Sequence, residues 1–293
     1  MNQTALSYRY DGTFDGLMCC VFESYMKREL PTEILGPDTG EENLFGAKDI
    51  LTDEANAQRV LRSIPAKIGH DAYDLVQLAF LTCLPQKELA ILSFLRQGYR
   101  YGPRIMGFAG NETLHHLTEA VKHLQKEAHL LKGFIRFSIH QNVLIAAIGP
   151  KNFVLPFLAR HFSERYPDEH FLIYDENHHM ALVYRPYESA IIPMDEFRAA
   201  PPDKEEAAFR ALWRTFYDAI EIKPRHNEKC RQTLMPKRYW KYMTEFATST
   251  VHAEITQHNT AFRPHPPVPA TGRKHSDPHG LWCPRPPSPP DCR

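Results

Sequence analysis

The sequence lacks long apolar runs and C-x-x-C cysteine pairs, and these two absences exclude whole classes of protein. The longest apolar stretch lies around Val143 to Ile148, which is far too short to cross a bilayer. None of the six cysteines forms a C-x-x-C pair, the spacing common in zinc and iron–sulfur sites. The residues after Met1 lack the basic-then-apolar pattern of a signal peptide. We therefore expect a soluble, cytoplasmic protein with no membrane association.

Fingerprints of common enzyme chemistry are also missing. There is no G-x-S-x-G elbow, no P-loop and no dinucleotide-binding glycine pattern. The chain has 16 histidines, but none follows the H-E-x-x-H spacing of a metalloenzyme. His115, Glu119 and His123 share one helical face, and the polar side of an amphipathic helix explains them. The sequence therefore predicts no metal and no cofactor.

A net charge of zero, from 35 basic and 35 acidic residues in 293, hides a segregated distribution. Residues 1–222 hold 23 basic and 30 acidic residues, whereas residues 223–241 hold seven basic and one acidic. We call residues 223–241 the basic segment. Asymmetry of this kind bears on binding partners rather than on fold. The basic segment could meet nucleic acid, or it could dock on an acidic surface of this chain or of a partner.

Hydrophobic periodicity predicts an α+β fold with one domain over residues 1–256. Residues 1–131 are predicted to be helical, and so are residues 201–256. Between them, residues 132–200 alternate as strands do and predict an antiparallel ββαββ(β) sheet with a helix on one face. Residues 257–293 contain ten prolines and predict a disordered tail.

Several helical boundaries and faces can be predicted in more detail. Pro65 is expected to end a helix, and Pro236 is expected to begin one that runs through Phe246. The helix over Lys204 to Ile220 carries one apolar stripe that includes Phe209, Leu212, Trp213 and Phe216. The long helix over Glu112 to Leu131 is expected to turn a second stripe inward: Leu114, Leu117, Val121, Leu124, Ala128 and Leu131.

Three stretches together resemble a bacterial family of unknown function that is associated with DNA metabolism. They are YDGTFDG at Tyr10–Gly16, KGFIRF at Lys132–Phe137 and MPKRYWKYMTEF at Met235–Phe246. The resemblance covers about residues 8–247, and the third stretch is its most specific part. It implies a radical SAM protein as partner, because family members are typically encoded beside one. Some members are fused to a uracil-DNA glycosylase-like domain, and DNA is therefore the expected ligand.

The leading hypothesis is a nucleic-acid-binding accessory protein in DNA metabolism or repair. The basic segment interleaves cations, which can neutralise phosphates, with aromatic rings, which can stack on bases. A second group of arginines near a helix end could extend the phosphate path. The candidate nucleic-acid-binding residues are Arg225, Arg231, Lys237, Arg238, Tyr239, Trp240, Lys241, Arg96, Arg100, Arg104 and Arg136.

Two alternatives stay open. The chain could be an enzyme acting on a nucleic-acid base or phosphate, in which case carboxylates and a histidine would converge in a cleft. Asp175 and Glu176 follow an apolar strand, His161 lies on the preceding helix, and Asp11 flanks a glycine turn. Alternatively, the chain could be a protein-binding module without affinity for DNA.

Overall fold

The chain folds into two compact units. The computed structural model describes residues 6–37, 46–197 and 201–246. The first unit draws its described residues from Met1–His129 and Pro150–Val154, and the second from Leu130–Gly149 and Leu155–Arg293. The predicted disordered tail, residues 257–293, lies outside the described residues. Within the described part of the chain, no helix is both long enough and apolar enough to span a membrane.

The first unit begins with a small sheet. Its central strand β1 (Ser7–Arg9) pairs in parallel with β2 (Glu33–Leu35) on one side and β3 (Lys48–Asp49) on the other. Tyr8 and Leu35 are buried, so the sheet contributes to the core. Strands of two or three residues carry too little alternation to recognise in a sequence, so this sheet does not appear in the predicted helical region 1–131.

Helices make up the rest of the first unit. Thr13 caps helix α1 by accepting a hydrogen bond from the backbone N–H of Gly16 at 2.9 Å. The stripe predicted to face inward, Leu114 to Leu131, is buried at every position. The helices are α1 (Phe14–Lys27), α2 (Glu54–Lys67), α3 (His70–Phe80), α4 (Lys87–Tyr101) and α5 (Glu112–Phe134), with a 3₁₀ helix at Gly102–Gly107 between the last two. The residues of α5 from Leu130 onward belong to the second unit.

Pro65 does not end helix α2, contrary to the prediction. The helix continues to Lys67 with Pro65 in its last turn. Ile64 and Ile68 are both fully buried on either side of it. The packing of these two side chains holds the last turn in place. A proline this close to the end of a helix removes only one backbone hydrogen bond, so the turn can persist.

Residues 150–154 join the first unit through a buried carboxylate. The side chain of Glu127 on α5 accepts hydrogen bonds from the backbone N–H groups of Lys151 at 3.0 Å and Asn152 at 2.8 Å. The Asn152 amide nitrogen donates to the same carboxylate at 2.6 Å, and its oxygen accepts from the backbone N–H of Cys83. A buried polar cluster with satisfied hydrogen bonds fixes the geometry of its elements.

The second unit is built on a five-stranded sheet, and the α+β class is confirmed. Its strands lie in chain order, and helix α6 (Leu155–Arg165) comes between the second and third of them. Phe171, Ile173 and Leu182, on the third and fourth strands, are buried. The strands are β4 (Ser138–His140), β5 (Val143–Ile148), β6 (His170–Asp175), β7 (Met180–Arg185) and β8 (Glu188–Pro193).

One pairing in this sheet corrects the antiparallel prediction. Strands β5 and β6 run parallel, with Ile145 opposite Leu172, whereas the other three pairings are antiparallel. The reason is the helical crossover, because α6 returns the chain to the end of the sheet where β5 began. The sheet is therefore mixed.

The C-terminal part of the second unit contains helix α7 (Lys204–Ala219), helix α8 (Glu228–Leu234) and a 3₁₀ helix at Lys237–Tyr242. The 3₁₀ helix replaces the longer helix predicted from Pro236 to Phe246. Helix α7 has the predicted apolar stripe, but it buries no residue. Phe209 is 60% exposed, Leu212 65% and Phe216 50%.

Candidate nucleic-acid interface

The basic segment is mostly exposed to solvent. It begins in a 3₁₀ turn at Lys223–Arg225, continues through α8 and ends in the 3₁₀ helix at Lys237–Tyr242. Side chains three residues apart in a 3₁₀ helix lie above one another, so Arg238 and Lys241 share one side. Six of the seven cations are exposed: Lys223, Arg225, Lys229, Lys237, Arg238 and Lys241.

Two of these cations already have acidic partners. Lys237 Nζ lies 3.6 Å from Glu228 Oε1, and Lys241 Nζ lies 2.9 Å from Glu176 Oε2. Exposed pairs of this kind are weak and salt-sensitive, but they reduce the charge offered to a ligand. In the part of the chain that the structure describes, Lys223, Arg225 and Lys229 make no ion pair. Among the described residues, the cations of the basic segment that lack an ion pair therefore include the three at its start.

The aromatic residues of the segment pack within the protein instead of facing a ligand. Tyr239 is buried, with its ring centroid 5.8 Å from that of Phe134. Trp240 is half-buried and stacks on Phe246 at 4.5 Å with an interplanar angle of 18°. Both rings pack within the second unit and the ring of Tyr239 is enclosed, while stacking of these rings on bases stays a prediction.

Arg231 also points inward. Its guanidinium carbon lies 5.2 Å from the Trp240 ring centroid and 5.5 Å from that of Phe246. Its Nε atom is buried and has no hydrogen-bond partner among the described residues. Arg231 therefore supports the aromatic pair by cation–π attraction, and its position does not suit a phosphate contact.

Arg136 forms an internal ion pair rather than part of an open basic surface. Its Nη2 and Nε donate to the two carboxylate oxygens of Glu245 at 2.7 and 3.2 Å, and the Glu245 side chain is 1% exposed. The indole N–H of Trp213 donates to the same carboxylate at 3.1 Å. Burial opposes ionisation of Glu245, but these hydrogen bonds outweigh it and lower the pKa of Glu245. This geometry gives Arg136 a partner within the second unit, and nucleic-acid binding by Arg136 stays a prediction.

The second group of predicted cations lies in the first unit, on and after α4. Arg96 Nη1 donates to Ser24 Oγ at 3.2 Å, and its guanidinium lies over the ring of Tyr25. Arg100 and Arg104 are exposed. Arg96 thus has a packing role, while the other two remain available to solvent.

Glu176, a predicted catalytic residue, is engaged with the 3₁₀ helix at Lys237–Tyr242. Its Oε2 accepts hydrogen bonds from the hydroxyl of Tyr242 at 2.7 Å and from Lys241 Nζ. Burial and the Glu176 carboxylate raise the pKa of Tyr242, so this hydroxyl stays protonated and keeps donating. A Cβ on Gly149 would lie 2.1 Å from the Tyr242 oxygen. A glycine at position 149, directly after β5, therefore leaves room for the Tyr242 hydroxyl to reach Glu176.

Asp175 and His161 do not form the predicted acid–base pair. Asp175 is fully buried and accepts hydrogen bonds from the backbone N–H groups of Asn177 and His178 in the β6–β7 turn. Its other oxygen lies 2.7 Å from His178 Nδ1. His161 instead packs its ring against Phe162 at 4.9 Å. Burial, followed by the nearby cations of the second unit, lowers the pKa of His161.

Asp11 organises the turn before α1. Its Oδ1 accepts from the backbone N–H of Thr13 at 2.9 Å and from the Thr13 hydroxyl at 2.7 Å, and its Oδ2 accepts from the Thr52 hydroxyl at 2.7 Å. Although burial opposes it, these bonds lower the pKa of Asp11. Gly12 has a φ of +79°, which glycine adopts without strain. The first resembling stretch is thus a capped turn.

Lys223 and Lys229 are exposed cations of the basic segment beyond the predicted binding residues. Their signal in the sequence is the same charge run that contains Arg225 and Arg231. In residues 6–37, 46–197 and 201–246, no group of three or more His, Cys, Asp or Glu side chains is placed to hold a metal ion.

Comparison with known proteins gives one informative match. A search of curated proteins found no match to this chain. A family described as "Domain of unknown function (DUF4130)" matches residues 85–245, which is more than half of the chain. The match includes all of the sheet in the second unit and the KRYWKY stretch of the third resembling motif. The chain therefore belongs to the DUF4130 family.

Proposed function

We propose that the chain is a nucleic-acid-binding accessory protein of DNA metabolism or repair that works with a radical SAM enzyme. The observation that supports it is the exposure of Lys223, Arg225 and Lys229 without an ion pair among the described residues. Cations of this kind gain affinity for a phosphate backbone by releasing its condensed counterions. The resemblance to a DNA-metabolism family selects DNA as the ligand and the radical SAM protein as the partner.

The carboxylates favour binding over catalysis. Asp175 accepts three hydrogen bonds from its own turn, Asp11 caps the turn before α1, and Glu176 is tied to Lys241 and Tyr242. A general base needs a free lone pair within reach of a substrate proton. Since hydrogen bonds within the protein already hold each of these carboxylates in a turn or against a neighbouring element, we propose an accessory role.

Fluorescence anisotropy with labelled single- and double-stranded DNA at several salt concentrations tests the proposal. Changing Lys223 and Lys229 together to alanine should weaken binding on every DNA sequence and reduce the salt slope by about 2, because each phosphate contact contributes about 1. The matched control changes Lys122 and Lys126, two exposed lysines of α5, and should leave both quantities unchanged.

Two outcomes would contradict DNA binding by the basic segment. One is the absence of salt-sensitive binding, either by the chain alone or together with the radical SAM partner. The other is an equal loss in the Lys122/Lys126 control, which would mean that net charge alone is responsible. A triple change of Lys237, Arg238 and Lys241 to alanine should cost less than its cation count suggests, because two of the three are paired.

The exposed stripe on α7 favours a second candidate function, that of a protein-binding module. A contiguous apolar patch on the surface of a protein commonly marks a site of contact with another molecule. If the stripe docks the radical SAM protein, Leu212→Glu should abolish their co-purification, whereas the neighbouring Ala211→Glu should not. Concentration-dependent self-association that Leu212→Glu removes would assign the stripe to a second copy of the chain instead.

A further inference from the structure

An open pocket lies among helices α1, α2 and α4 of the first unit. Its volume is about 320 Å³, which is within the range of small-molecule sites. The buried side chains of Val21 on α1 and Val60 on α2 give it an apolar base. None of its lining residues belongs to the basic segment, so it is a separate feature of the molecule.

Three aromatic rings line this pocket. Phe22 and Tyr25 lie one turn apart on α1, and Tyr99 comes from α4. The Tyr25 and Tyr99 rings meet edge to face, with centroids 5.4 Å apart and an interplanar angle of 87°. Burial raises the pKa of both tyrosines, so they stay neutral. Neutral aromatic walls suit a planar ring, and because these two rings are nearly perpendicular, a planar ligand that stacks on one of them meets the other edge-on.

Two cations make cation–π contacts with the aromatic rings of the pocket. The Arg59 guanidinium lies 5.4 Å from the Phe22 ring centroid, and Lys67 Nζ lies 5.8 Å from that of Tyr99. Among the described residues neither cation has an ion pair, and no acidic side chain lines the pocket. Arg59 and Lys67 are both exposed at its rim. The rim therefore offers two positive charges that an anion can neutralise.

We propose that this pocket binds a phosphorylated nucleoside. Its aromatic ring would lie against Tyr25 and Tyr99, and its phosphate would meet Arg59 and Lys67. A planar ring alone would leave the two cations unused, and a bare anion would leave the apolar base and the aromatic walls unfilled. A ligand that carries both a planar ring and an anionic group can contact the aromatic rings and the two cations together. The volume of the pocket limits such a ligand to about one nucleotide.

Isothermal titration calorimetry with the full chain tests this site with AMP, adenosine and inorganic phosphate as probes. AMP should bind, adenosine should bind at least about tenfold more weakly because it lacks the anion, and phosphate should bind weakest because it lacks the ring. Arg59→Ala and Lys67→Ala should each weaken AMP about tenfold and adenosine little. Arg104→Ala removes an exposed cation of the same unit outside the pocket and should change nothing.

The ligand could be a free nucleotide or the terminal nucleotide of a nucleic-acid strand. A 5′-phosphorylated dinucleotide distinguishes these two sources. Tighter binding of the dinucleotide than of AMP selects a strand end, and tighter binding of AMP selects a free nucleotide. The proposal fails if none of AMP, CMP, GMP and UMP binds, or if Arg59→Ala and Lys67→Ala bind AMP as the native chain does. Because none of these variants touches the basic segment, this failure is distinguishable from failure of DNA binding there.

Discussion

Helices α5 and α7 have equally clear apolar stripes, yet only one of them is buried. Leu117 and Leu124 on α5 are fully buried, whereas Leu212 and Phe216 on α7 are at least half exposed. Periodicity identifies which side of a helix is apolar, but it does not say whether that side has a partner in the same chain. The difference teaches that α5 belongs to a core and that α7 presents a surface.

Helix α7 is attached to its unit by a few specific contacts. Arg210 donates to the hydroxyl of Ser138, and Trp213 donates to Glu245. Tyr217 packs edge-on against Phe246 with centroids 5.4 Å apart. Polar and aromatic contacts of this kind position a helix while its apolar side stays exposed.

The largest expected effect separates the two helices directly. Leu117→Ala should lower the free energy of unfolding by about 4 kcal/mol, because it leaves a cavity in a buried site. Leu212→Ala, the same chemical change on α7, should stay within about 0.5 kcal/mol. Urea denaturation followed by circular dichroism measures both. Similar losses for the two variants would mean that the α7 stripe is covered.

Removal of the Arg136 side chain should weaken the attachment of α7. Arg136→Ala leaves the carboxylate of Glu245 buried without its cation, and we expect a loss of about 3 kcal/mol in the free energy of unfolding. Arg160→Ala breaks an exposed pair with Glu164 and should cost less than about 1 kcal/mol. Trp213 fluorescence reports on the environment of α7 in the same titration. Equal costs would show that burial of Glu245 is unimportant.

Substitution by alanine at two glycines of the second unit should change the free energy of unfolding in opposite directions. Gly149→Ala places a methyl group against the Tyr242 hydroxyl and should cost about 2 kcal/mol through overpacking. Gly133, near the end of α5, has nothing within 4 Å of its Cβ position, so Gly133→Ala should stabilise by about 0.5–1 kcal/mol. Thermal melts distinguish these signs. A neutral Gly149→Ala would argue against the close approach of Tyr242.

The smallest expected effect is a pH dependence at Glu245. Its folded pKa is depressed, so its contribution to stability is present above the unfolded pKa of about 4.3 and is lost as pH falls through the folded pKa. The free energy of unfolding should therefore fall with acid in the native chain and fall less steeply in Glu245→Gln. Denaturation midpoints between pH 7 and pH 3 measure this. Parallel pH profiles for the two proteins would assign the acid sensitivity to other carboxylates.

Much of the fold could be predicted because its signals are local. The α5 stripe, the cap of α1 and the β6–β7 hairpin each depend on residues close together in sequence. The pairing of Arg136 with Glu245 joins residues 109 apart, and no local pattern encodes it. The pocket was missed for the same reason, because Tyr25, Lys67 and Tyr99 come from three helices and none is unusual in its own segment.

The hydrogen bond between Glu176 and Tyr242 has a consequence for the order of folding. It closes a loop across 66 positions, whereas the β6–β7 hairpin beside it closes locally. Long loops cost more entropy to close and tend to form after local pairings. We expect Tyr242 to have a φ-value near zero and the KRYWKY stretch to exchange its amide protons early. The KRYWKY stretch would then form after the β6–β7 hairpin and open before it.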